Sequence, residues 1–237
     1  LSSRMSEERF QDLLQTEAGY YFQKYGKMYL HDSTLLMAIA MQESNFQHDC
    51  YLPGGEKYNG YAIGIGQLGD APVDAWQETV YKAYNFETNT VDETTLSLEN
   101  VMDLEMNIKL MAMRFQNLLK HFDYNIYAAI QSYNYGIPVM DRIIDDYAET
   151  SGVERDDVLT NREDLGWISL VKEVHQNPTL FVPGWTGKTY GDGSYLEHVL
   201  SYLPQNDLIF YQVTPESVLD DTIKSESSKE LILELRK

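Results

Sequence analysis

The sequence predicts a mainly α-helical fold with one small loop or hairpin element, and three observations carry that expectation. Between Glu99 and Phe122 the apolar positions Val101, Leu104, Ile108, Met111, Phe115, Leu118 and Phe122 alternate steps of three and four, which describes one face of a long helix. Leu35, Leu36, Ala38, Ile39, Ala40 and Met41 form a nearly continuous apolar run, which suits a helix buried on most sides. From Asn45 to Asp74 the chain is instead rich in Gly, Pro, Asn and Tyr, with Pro53-Gly54-Gly55 and Asn59-Gly60 as turn signals around short segments, so loops and a small hairpin are expected there.

Taken in order, Phe10, Leu13, Leu14, Tyr21 and Tyr25 predict a first amphipathic helix from about Ser6 to Tyr25, ended by Gly26. After the turn at His31-Asp32-Ser33, either Asp32 or Ser33 can N-cap the apolar helix. The long helix over 99–122 is followed by one carrying Ile126, Ala129, Ile130 and Tyr133, which stops at Gly136, and by another bearing Val139, Met140, Ile143, Ile144 and Tyr147. Patterning weakens from Thr150 to Gly193, where Asn177-Pro178, Pro183-Gly184 and Gly191-Asp192-Gly193 mark loops, before a short helix with Tyr195, Leu196, Val199 and Leu200. One domain is expected over residues 1–203. Residues 204–237, with a strand-like Leu208–Val213 and a charged, Ser-rich end, read as a linker or docking tail.

The 237 residues, 43% of them hydrophobic, are enough to bury a sizeable core. No apolar run approaches the ~20 residues needed to cross a bilayer, and the first twenty residues are too polar for a signal-peptide core, so membrane insertion is not expected. The start at Leu1 rather than Met reads as a trimmed or processed product. With 37 acidic against 18 basic residues the net charge of −19 disfavours nucleic acid and anionic membranes as partners and leaves neutral sugars open. The single Cys50 cannot form an internal disulfide, and no second Cys or close His pair joins it, so no metal or other cofactor is expected. Eighteen Tyr residues offer ring faces and hydroxyls of the kind sugars use, although half-buried structural positions use them equally.

Glu43 is the residue that points to chemistry. It lies four residues after Ile39 and seven after Leu36, so on a continuous helix it shares their inward face, and no other charged residue occurs from Ser33 to Gln42. Desolvation and the helix C-terminus both oppose a negative charge there, which would make it an acid near neutral pH. Cleavage of a glycosidic bond needs such an acid, because the leaving oxygen must be protonated as an oxocarbenium-like transition state forms. A solvated Glu at a helix end is the plain alternative.

Met41-Gln42-Glu43-Ser44, then Ala62-Ile63-Gly64-Ile65-Gly66-Gln67-Leu68, then Tyr133-Asn134-Tyr135-Gly136 occur in the order and spacing of the lytic transglycosylase catalytic domain and its goose-type lysozyme relatives, which this sequence resembles. Asn107-Ile108 at the long helix and Tyr195 with Val199 near the end extend the resemblance over about Leu35 to Leu203. It implies a lysozyme-like, mainly α fold with a small β element beside a cleft that holds alternating N-acetylmuramic acid and N-acetylglucosamine. It also implies Glu43 as general acid and later base, with Ser44, Gly66, Gln67, the Tyr133-Asn134 pair and the closing Tyr195 on the substrate side. Gly64 and Gly66 would then let the backbone approach a sugar ring, a plain hairpin being the alternative.

Departures from the family pattern are also legible. The family usually has Leu-Met before its Gln where this chain has Ile65-Gly66, so an apolar Met wall is expected to be missing. The loop between Glu43 and Ala62 is longer than usual, with Tyr58-Asn59 where many members place a Ser, and the segment from Gly136 to Tyr195 is long enough to build a lid or an extra wall.

The resemblance implies cleavage of the β-1,4 bond with formation of 1,6-anhydromuramic ends, for which one carboxyl suffices. In the hydrolysing relatives a second carboxylate activates water, and Asp70, just after Gln67-Leu68-Gly69, is the candidate, with Glu56 behind it; an N-cap near Ala71-Pro72 is the alternative role for Asp70. A non-catalytic glycan-binding or structural module of a phage tail is the more distant alternative. Because Gram-positive walls are polyanionic, so acidic a chain is expected to be delivered as part of a larger polypeptide or tail assembly, extracellular or virion-associated.

Overall fold

The computed structural model describes residues 5–30, 32–53, 61–69, 79–160 and 166–203. Asp70, Glu56, Tyr58-Asn59, the Gly54-Gly55 and Asn59-Gly60 turn residues, the expected helix start at Ala71-Pro72 and the whole 204–237 tail lie outside the described residues.

The fold is mainly helical, as expected, with two small antiparallel hairpins. The first expected helix is two: α1 (Glu7–Leu14) and α2 (Glu17–Tyr29). Thr16 breaks them, its hydroxyl capping the Gly19 N–H at 3.0 Å, a role the periodicity of apolar residues does not reveal. Gly26 does not end the helix but lies buried inside α2, because a Cβ there would stand 2.9 Å from the Cα of Ser33. Helix α3 (Thr34–Ser44) starts where expected: Ser33 holds the cap position without a side-chain bond, while Asp32 Oδ1 accepts the Thr34 N–H at 2.9 Å. Residues Leu35 to Ala40 are all buried.

Strands β1 (Tyr51–Pro53) and β2 (Tyr61–Ile63) form the small hairpin anticipated from the turn signals. A second hairpin, β3 (Val80–Asn85) with β4 (Thr90–Thr95), has no counterpart in the expectations above. Its turn is built by Asn85, whose Oδ1 accepts the Glu87 and Thr88 N–H groups, and by Asn89 at φ 55. Gln116 pairs with β3 as a neighbouring strand would: its Oε1 accepts the Tyr84 N–H and its Nε2 donates to the Tyr84 carbonyl.

The expected 99–122 helix is also divided, into α4 (Leu98–Met102) and α5 (Leu104–His121), because Asp103 adopts extended backbone and caps the Met106 N–H at 2.8 Å. Helix α5 is the axis of the core, packed against α2, β3 and the next helix, α6 (Ile126–Tyr135). Gly136 (φ 82) separates α6 from α7 (Ile137–Ser151). The weakly patterned region contains α8 (Arg155–Thr160), α9 (Trp167–Gln176) and α10 (Pro178–Phe181); Asn177-Pro178, expected as a loop, is the junction between α9 and α10, and α9 buries Trp167, Val171 and Val174 on one face, a helical spacing not singled out above. Finally α11 (Tyr195–Ser201) packs against α3 and α6. No helix among the described residues is long and apolar enough to cross a membrane.

Candidate active site

Glu43 occupies the last turn of α3, half-buried, and the helix is closed behind it by Asn45 and Phe46 in left-handed backbone (φ 52 and 63). The Phe46 N–H reaches back to the Ala40 carbonyl at 3.2 Å, so the helix end is fixed by its own backbone. Next to Glu43, Ser44 is buried, with Oγ 3.1 Å from the Ala40 carbonyl and 2.8 Å from that of Ile65. Its hydroxyl therefore ties α3 to the glycine-rich loop 64–67.

That loop hangs on one side chain of α5. Asn107 is fully buried; its Nδ2 donates to the carbonyls of Ile63 (2.9 Å) and Val101 (2.7 Å), and its Oδ1 accepts the Gly66 N–H at 3.0 Å. His48 holds the other edge: Nδ1 accepts the Ile65 N–H at 3.2 Å, which leaves the ring proton on Nε2 to donate to the Met102 carbonyl at 2.7 Å. The approach that Gly64 and Gly66 permit is therefore to protein. A Cβ on Gly64 would lie 2.5 Å from Asn107 Nδ2 and 2.7 Å from the His48 ring, and one on Gly66 would lie 2.9 Å from Asn107 Oδ1 and 3.2 Å from Met111 Sδ. Met111 of α5 packs against the Gly66 backbone, but it is fully buried rather than facing a cleft.

Gln67 takes φ 47, and its amide turns back on its own loop, Nε2 donating to the carbonyls of Cys50 (3.2 Å) and Gly64 (3.1 Å). Its buried Oε1 has no hydrogen-bond partner among the described residues.

Three more of the expected residues converge on this loop and on Glu43. The Tyr133 hydroxyl, buried on α6, donates to the Gly66 carbonyl at 2.6 Å. The Tyr195 hydroxyl, buried at the start of α11, donates to Glu43 Oε1 at 2.5 Å. Burial first, and then the Glu43 charge, push the Tyr195 phenol well above its ordinary value, so it remains a donor. Asn134 works one step away: its Oδ1 accepts the Asp192 N–H at 2.7 Å, while the neighbouring Gln131 donates to the Asp192 carbonyl and accepts the Leu196 N–H. These bonds clamp the 190–193 loop against α6 and so deliver Tyr195 to Glu43.

Arg114 was not singled out from the sequence, because an arginine on a helix with an apolar stripe reads as a solvated face. In the structure it is half-buried, donates through Nη2 to the Tyr133 carbonyl at 3.2 Å, and lies 4.4 Å from the centre of the Tyr133 ring. Burial works against its charge, but Tyr81, Tyr133 and Glu43 outweigh that and hold it firmly protonated. His48, Gln131 and Asp192 were likewise unread, since each works through backbone contacts that leave no pattern in sequence. Among the described residues no group of three His, Cys, Asp or Glu side chains comes together to hold a metal ion.

Comparison with curated proteins and with solved structures yields no match. The family model described as Transglycosylase SLT domain matches residues 20–151, more than half of the 237, and includes Glu43, Gln67, Tyr133 and Asn134; Tyr195 lies beyond the matched span and is joined to it by geometry. Members of that family are lytic transglycosylases, enzymes that act on the peptidoglycan of the bacterial cell wall, and this chain belongs to it.

Proposed function

We propose that the chain cleaves the β-1,4 bond between N-acetylmuramic acid and N-acetylglucosamine with Glu43 as its acid and base, leaving 1,6-anhydromuramic ends. The observation that carries this reading is the bond from the buried Tyr195 hydroxyl to Glu43 Oε1, which fixes a half-buried carboxyl in one orientation. With Oε1 accepting from Tyr195, the proton of the acid form sits on Oε2. It passes to the glycosidic oxygen as the C1–O bond breaks and N-acetylglucosamine leaves with its hydroxyl restored. The Glu43 carboxylate then takes the proton of the muramic 6-hydroxyl while that oxygen closes on C1. No water enters, and Glu43 ends protonated.

In this reading Tyr195 orients the acid, Tyr133 and Gly66 hold the loop opposite it, and Ser44 and Asn134 act through the backbone segments they pin. Gln67 holds the turn of the loop through its amide, which donates to the Cys50 and Gly64 carbonyls. The domain extends over 1–203, and the enzyme reaches the wall outside the cell as part of a larger assembly, since a net charge of −19 would otherwise be repelled by anionic wall polymers.

Mass spectrometry of fragments released from purified peptidoglycan, run beside Glu43→Gln, tests the proposal. Fragments one water lighter than ordinary disaccharide peptides, absent with the variant, are expected. Free reducing muramic acid would instead mean hydrolysis, with a second carboxylate such as Asp70 as the base.

A further inference from the structure

His48 is held through both of its ring nitrogens, and the two bonds together admit one protonation state. The Ile65 N–H can only donate, so Nδ1, 3.2 Å away, must offer a lone pair; the Met102 carbonyl can only accept, so Nε2, 2.7 Å away, must carry the proton. That is the neutral ring. The imidazolium carries a proton on both nitrogens and would set Nδ1–H against the Ile65 N–H. Nor can the ring adjust toward Gly64, where an added Cβ would stand 2.7 Å from Nδ1 and Cε1. The residue is half-buried, so a proton can reach it from water. Of the titratable groups around it, Asp49 and Cys50 adjoin it in the chain, α4 carries Glu99, and the 62–69 segment has no charged side chain. At the head of α5, Asp103 is engaged with the Met106 N–H and Glu105 with Lys24 and Tyr25. None of these forms an ion pair with His48 among the described residues. The ring is therefore held by its two hydrogen bonds and not by charge.

The bond that a second proton would break lies close to the reacting carboxyl. Ile65 is fully buried, and it is held through both backbone groups: its N–H by His48, and its carbonyl by Ser44 Oγ at 2.8 Å. Ser44 follows Glu43 in the last turn of α3. An Ile65 N–H deprived of His48 is a buried donor without its acceptor, so the loop must shift to satisfy it. Through the Ser44 bond that shift reaches the helix turn that presents Glu43. We propose that neutral His48 is a positioning residue for the cleavage reaction: it holds the 64–67 loop beside Ser44 and Glu43, and its protonation releases the loop and lowers turnover on the acid side of neutrality. This rests on Glu43 being the acid of the proposed function.

The experiment compares wild type with His48→Asn and His48→Gln on soluble, uncrosslinked peptidoglycan strands. Asn carries Oδ1 on Cγ, where His carries Nδ1, and accepts a hydrogen bond whatever the pH; Gln keeps a donor toward Met102 but leaves no acceptor for Ile65. An imidazole changes charge between about pH 5 and 8. From the top of that window to the bottom, the ratio of wild-type to His48→Asn kcat is expected to fall about tenfold, the scale of one lost hydrogen bond, with KM unchanged. Titration of Glu43 and of the strands is common to both proteins and cancels in the ratio. At the top of the window His48→Gln is expected to turn over about tenfold more slowly than His48→Asn. A constant ratio overturns the proposal, as does equal turnover by the two variants. Amide exchange of wild type, followed by NMR, needs no variant: protection of the Ile65 amide is expected to drop as the His48 ring titrates. An Ile65 amide still protected beside a charged ring overturns the proposal even if both variants misfold. Absence of cleavage by wild type at every pH is a different result, which removes the proposed function and with it the role of His48 in turnover.

Discussion

The Tyr195 hydroxyl meets Glu43 Oε1 at 2.5 Å although 152 positions separate the two residues in sequence. Each partner comes from a different packing problem: Glu43 is carried by the buried α3, and Tyr195 by α11 behind a loop clamped to Gln131 and Asn134. Tyr195→Phe keeps the ring and removes only the hydroxyl. A hydrogen bond to a charged group is worth roughly 1.5–3 kcal/mol, so kcat is expected to fall about tenfold to a hundredfold with KM almost unchanged. Rates of muropeptide release check this, and an unchanged kcat would remove Tyr195 from the orientation of the acid.

Gly66→Ala is expected to lower stability by about 1–3 kcal/mol and to depress activity with it. The new methyl would sit 2.9 Å from Asn107 Oδ1, the atom that accepts the Gly66 N–H, so relief of the clash and retention of that bond compete. Urea unfolding of the two proteins measures the difference. Equal midpoints and slopes would show that the loop shifts at no cost.

Gly191→Ala addresses the approach to Tyr195 from the other side. Gly191 has φ +55, and a Cβ would fall 2.6 Å from Tyr135 Cδ1 and 2.7 Å from Asn134 Oδ1, the atom that holds the Asp192 N–H. The strain and the displaced clamp are together expected to cost about 1–3 kcal/mol and to lower kcat more than Tyr195→Phe does. A variant whose activity matches wild type would show that the 190–193 loop does not position Tyr195.

Helix content and the Glu43 constellation were legible because both leave regular traces, one in three-four spacing and the other in short motifs in fixed order. What was not legible is instructive. The breaks at Thr16 and Asp103 are side-chain caps inside otherwise continuous apolar stripes, and an apolar pattern does not register a cap. The β3–β4 hairpin alternates poorly because β4 is largely exposed, so Val80 and Val91 face outward and the period of two is blurred. Met111 reads as ordinary core in the sequence, and it is core in the structure, packed against the Gly66 backbone. Arg114 offered one signal that could have been used: it breaks an almost wholly buried run from Leu110 to Phe115.

The β3–β4 hairpin is anchored by Asp92, whose Oδ2 accepts from the Tyr29 hydroxyl at 2.6 Å and from Asn85 Nδ2 at 2.8 Å. Tyr29→Phe is expected to cost about 1–3 kcal/mol of stability. Urea unfolding checks this, and a midpoint equal to that of wild type would show that the Tyr29–Asp92 bond adds nothing to the fold.

The buried tyrosines make stability fall at high pH, and the sign follows from proton counting. Burial, reinforced by Glu105, pushes Tyr25 up to about 12, and burial with Asp92 raises Tyr29 further. Burial likewise raises Tyr133 and Tyr195, so the folded chain keeps phenolic protons that the unfolded chain gives up above about pH 10. The native state then binds more protons than the unfolded state, and stability decreases as pH rises. The contribution is complete below about pH 10 and is lost progressively through about pH 12 and above. Urea unfolding across that window, with tyrosinate absorbance followed in parallel, is expected to show a steepening loss of stability in wild type and a shallower one in Tyr29→Phe. A folded protein in which all eighteen tyrosines ionise together near pH 10 would contradict the burial on which the bonds from Tyr133 to Gly66 and from Tyr195 to Glu43 depend.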